Sequence, residues 1–97
     1  ACNPYLALAG MIAAGLDGVE RGLDPGAPVS GMAPSLGVET MPRTLADALD
    51  ALEVDVVLRD ALGEEALAEL VAVKRMEWSA YMEAVTDWEQ ATYLRRV

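Results

Sequence analysis

Residues 3–23, NPYLALAGMIAAGLDGVERGL, decide what kind of chain this is. Asn3 is a good helix N-cap residue, and Pro4 follows where its missing N–H costs nothing. No charged residue then appears until Asp17. Leu6, Leu8, Met11, Ile12 and Leu16 point in several directions around a helical wheel, with Ala7, Ala9, Ala13 and Ala14 between them. A helix that is apolar on all sides needs cover on all sides. Residues 1–22 are therefore expected to form a buried helix, starting at Pro4 and ending near Arg21, with Gly22 as its C-terminal cap. A chain of 97 residues encloses such a helix only with difficulty, so it reads as the central helix of something larger.

Working outward, Asp17 and Arg21 stand at i and i+4 with the acid nearer the N-terminus, the favourable order, worth ~0.3 kcal/mol. Ala7, Gly10, Ala14 and Gly18 recur every three or four residues, a row that lets another backbone approach closely. Residues 23–43 are irregular: Pro25, Pro28, Pro34 and Pro42 with Gly26, Gly31 and Gly37 block both helix and strand. Residues 44–97 return to helix. Thr44 is an N-cap with Asp47 three residues on, and Leu45, Ala48, Leu49 and Leu52 make one apolar stripe. Asp55 caps a short helix over 56–62 that Gly63 ends.

From Glu64 to about Val85 the spacing predicts the longest helix, ~33 Å at 1.5 Å per residue. Glu64 and Glu65 suit its first turn. Leu67, Leu70, Val71, Lys74, Trp78, Tyr81, Met82 and Val85 line one face, with the Lys74 stem laid along it and Trp78 and Tyr81 as its large anchors. Thr86-Asp87-Trp88-Glu89 is a full capping box for a last helix. Trp88, Ala91 and Leu94 share its face, and Arg95 and Arg96 favour its C-terminal dipole. The fold class is mostly α, about five helices and one long loop.

Three segments in this order resemble the C-terminal part of the glutamine synthetase family. They are Asn3-Pro4-Tyr5-Leu6 leading to Ala14-Gly15-Leu16-Asp17-Gly18, then PRTLADALDAL at 42–52 and VTDWEQATYL at 85–94. The resemblance covers the whole chain but only the last part of a full-length member. It implies that residues 1–97 are the C-terminal helical part of an α+β catalytic domain. It also implies an ATP-dependent ligase that joins glutamate to ammonia or an organic amine as a γ-glutamyl amide, with Mg or Mn. The ending VTDWEQATYLRRV leans toward branches that use amines such as polyamines. In the family a metal-binding glutamate and a substrate-positioning arginine lie on the strand before the Asn-Pro-Tyr-Leu helix, which here would end before Ala1. No catalytic, cofactor-binding or metal residue is therefore assigned to any position. Asn3, Pro4 and Tyr5 would support that strand. The resemblance further implies a ring-type homo-oligomer, a dodecamer, with Tyr93 and Leu94 a candidate contact to a neighbouring ring. Regulated bacterial members carry an adenylylated tyrosine in the loop; no tyrosine lies between Tyr5 and Tyr81, so that regulation is expected to be absent.

Composition agrees with this reading. The chain has no histidine and one cysteine, Cys2, which removes the commonest general base, zinc-type ligand sets and a disulfide framework. Ser30, Ser35 and Ser79 lack a histidine partner, and no glycine pattern fits a phosphate loop. Asp60/Glu64 and Glu65/Glu69 stand at i,i+4, are expected to share helix faces, and read as solvated acids. Seven basic against sixteen acidic residues, net charge −9, argue against nucleic acid. The apolar run is too short for a membrane span and lacks the basic start of a signal peptide, so cytoplasm is the default. The chain opens on Ala1 rather than Met, which fits a piece of a longer protein. The alternative is a free-standing all-α interaction module that self-associates through its apolar first helix.

Overall fold

A computed structural model describes residues 2–32, 37 and 39–95. The readings placed on Pro34, Ser35 and Arg96 lie outside these residues. The described residues form five helices and no strand: α1 (Pro4–Glu20), α2 (Leu45–Val54), α3 (Val56–Leu62), α4 (Glu64–Glu83) and α5 (Asp87–Tyr93).

Local chemistry sets nearly every boundary. The Asn3 Oδ1 accepts from the N–H groups of Tyr5 and Leu6 at 3.0 and 3.3 Å, satisfying two donors that the first turn leaves free. At the other end of α1, Gly22 adopts φ +60°. There the Leu23 N–H donates to the Gly18 carbonyl and the Gly22 N–H to that of Val19, the paired bonds of a Schellman motif. Thr44 Oγ1 accepts from the Asp47 N–H at 3.1 Å to start α2, and Asp55 Oδ1 accepts from the Leu58 N–H at 2.9 Å to start α3. Gly63, at φ +83° and ψ 147°, both ends α3 and opens α4, in a region that only glycine occupies without strain.

Helix α4 stops at Glu83, two residues short of the expected Val85. The capping box is the reason. Thr86 must be extended for its hydroxyl to accept the Glu89 N–H, and the chain has turned extended by Ala84, at ψ 134°.

Packing runs α1 on α3, α3 on α2 and α4, and α2 on α4, while α5 packs on no other helix among the described residues. The core is small: among the described residues, Leu49 of α2 and Leu67 of α4 are the buried apolar side chains, 3% and 5% exposed. The radius of gyration is 18.0 Å, against about 13 Å for a compact domain of this length. The chain is a set of helices wrapped around very little of its own interior.

None of the residues of α1 is buried within this chain. Among the described residues α3, seven residues long, is the one helix that packs against it, and Leu8, Ile12, Leu16 and Val19 are 57–79% exposed. Where α3 crosses the small-residue row, a Cβ on Gly10 would sit 3.5 Å from Leu58 Cδ2, an ordinary contact with a side chain and not a close backbone approach. Gly18, further along the row, has nothing within 4 Å.

Candidate functional site

Two features stand out from the scaffold, an apolar groove and an ionic clasp. The groove has a volume of about 740 Å³ and is lined by residues of four helices, among them Leu6, Gly10 and Met11 of α1, Leu49 of α2, Leu58 of α3 and Leu70 of α4. Asn3 and Lys74 supply polar atoms at its edge. The Lys74 ammonium is engaged by Glu77, 2.9 Å away, while its stem runs along the groove. Apolar walls with so few polar groups suit packing or an apolar guest; they do not provide bond-making chemistry.

The clasp ties α2, α3 and α4 together. Arg75 of α4 donates through Nη2 to Asp50 Oδ1 at 2.6 Å and to Glu53 Oε1 at 3.0 Å, both on α2. Arg59 of α3 donates to the backbone carbonyl of Glu53. Hydrogen bonds to Asp50 first and Glu53 second hold the Arg75 guanidinium even more firmly protonated than usual. The exposed setting makes this a positioning contact more than a large source of stability. Sequence reasoning missed it. Asp50 and Glu53 do stand one turn apart on α2, but their partner lies 22 and 25 residues away.

The residues singled out from sequence do not converge. Asp60 lies on α3 and Glu64 opens α4 beyond Gly63, so the two do not share a helix face as their spacing suggested. Glu65 and Glu69 share α4 and are exposed. Ser30 is in the loop and Ser79 far along α4. Among the described residues no three of His, Cys, Asp and Glu are grouped to hold a metal ion, so these residues do not fit the divalent ions that the family implies. The upper part of the α4 stripe, Tyr81 and Met82, is 60% and 63% exposed, as is most of Val85 beyond it at 67%. Trp78 stacks on Tyr81 with ring centroids 5.6 Å apart. On α5, Trp88 and Tyr93 meet edge to face at 5.9 Å and leave Leu94 71% exposed.

The described residues form the class of open helical frame whose apolar faces stay exposed. The family described as glutamine synthetase, catalytic domain, matches residues 1–93. The glutamine synthetase of Halobacterium salinarum is 43% identical over 98% of this chain and 23% of its own length. The glutamate–methylamine ligase of Methyloversatilis universalis is 46% identical over 96% of this chain and 23% of its own length. A solved structure of GmaS without ligand is similar with a TM-score of 0.79 at 42% identity, over 96% of this chain and 23% of that one. The chain belongs to the glutamine synthetase family, and it spans about a quarter of the length of these relatives, 23%. Among the described residues no helix is long and apolar enough to cross a membrane.

Proposed function

We propose that these residues are the C-terminal helical flank of a longer cytoplasmic ligase that forms a γ-glutamyl amide from glutamate, ATP and ammonia or a small amine. The observation that carries the reading is the family match over residues 1–93, joined to similarity with both glutamine synthetases and a glutamate–methylamine ligase. Near-equal identity to the two kinds of enzyme, 43% and 46%, fits one helical frame serving either amine, with the choice made in a pocket outside it. In such a ligase the γ-carboxylate would take the terminal phosphoryl group of ATP with release of ADP, and the amine would then displace phosphate; Mg or Mn, held outside this chain, would supply neutralisation of the phosphoryl charge. The residues that hold ATP and the metal lie outside this chain in this reading. What this chain contributes is position. The Asn3 cap fixes where α1 begins and so where the preceding strand ends, and the exposed face of α1 takes the rest of the domain as its cover.

The protein assembles as a ring-type homo-oligomer in this reading. Support comes from α5, which packs on no helix of its own chain and leaves Trp88, Tyr93 and Leu94 exposed. Without a tyrosine in the 23–43 loop, adenylylation there plays no part. The test is phosphate release by the full-length protein with ATP and glutamate, supplied in parallel with ammonia, methylamine and a polyamine. Turnover that depends on glutamate and one of these amines is expected, with residues 1–97 alone inert. No release by the long protein with any amine would overturn the proposal and favour an interaction module.

A further inference from the structure

We draw no further inference here: the strongest candidate, the apolar groove between α1 and the α2–α4 pair lined by Leu6, Met11, Leu49, Leu58 and Leu70, is an unpartnered face, and nothing in the structure shows what covers it.

Discussion

Truncating Leu67 or Leu49 to alanine empties the only buried apolar positions among the described residues, where α4 meets α2. Full burial of a leucine sets the cost at about 2–3 kcal/mol, the low end of the usual range because the sparse surroundings can close over the gap. Denaturant unfolding of the full-length protein should show a lowered midpoint for Leu67→Ala, while Leu8→Ala measures how much cover α1 receives there. Glu89 makes a second prediction, about pH. Its carboxylate accepts from the Thr86 N–H at 2.8 Å and from the Thr86 hydroxyl at 2.9 Å. Those bonds, the backbone one first, hold its pKa below the ordinary carboxylate value. A depressed folded-state pKa means stabilisation that is complete above the unfolded-state value and lost as pH falls through the folded one. The protection factors of the α5 amides, exchange rates corrected for their intrinsic pH dependence, should therefore fall on acidification below the ordinary carboxylate range. Glu89→Gln should keep the helix at neutral pH, since an amide oxygen can still accept, and should flatten that acid response.

At the scale of elements, α1 faces Leu58 of α3 at Gly10. A Cβ there would meet Leu58 Cδ2 at 3.5 Å, ordinary van der Waals contact, so Gly10→Ala should be tolerated and gain up to about 1 kcal/mol of helix propensity. Gly10→Leu has no such room and should cost about 1–3 kcal/mol by forcing α3 away. Thermal unfolding of the two variants distinguishes them by sign. The helices themselves were legible because their signals are local: Asn3, Thr44, Asp55 and Thr86 each cap within three residues of the groups they satisfy. What the apolar periodicity could not supply is the identity of the neighbour. Leu67 and Met82 sit on the same α4 stripe, yet one is 5% and the other 63% exposed. The Arg75 clasp was illegible for the same reason, since it joins residues that only the folded chain brings together. Asp60 and Glu64 show the converse error: a spacing of four means a shared face only if no glycine at φ +83° intervenes.

Taken whole, the molecule extends over 58 × 39 × 22 Å, and among the described residues two apolar side chains are buried. Folding must offset about 1–2 kcal/mol of backbone entropy per ordered residue, and a core of this size offers little against it. The exposed faces of α1, the end of α4 and α5 are where the missing burial belongs. The central claim is that the remainder of a ligase domain covers α1. Amide hydrogen exchange across α1 tests this most directly, measured in the full-length protein and in residues 1–97 alone. We expect the α1 amides to be strongly protected in the long protein and to exchange orders of magnitude faster in the short one, because only a covered helix opens rarely. Equal exchange in the two would contradict the account, since α1 would then gain nothing from the rest of the protein.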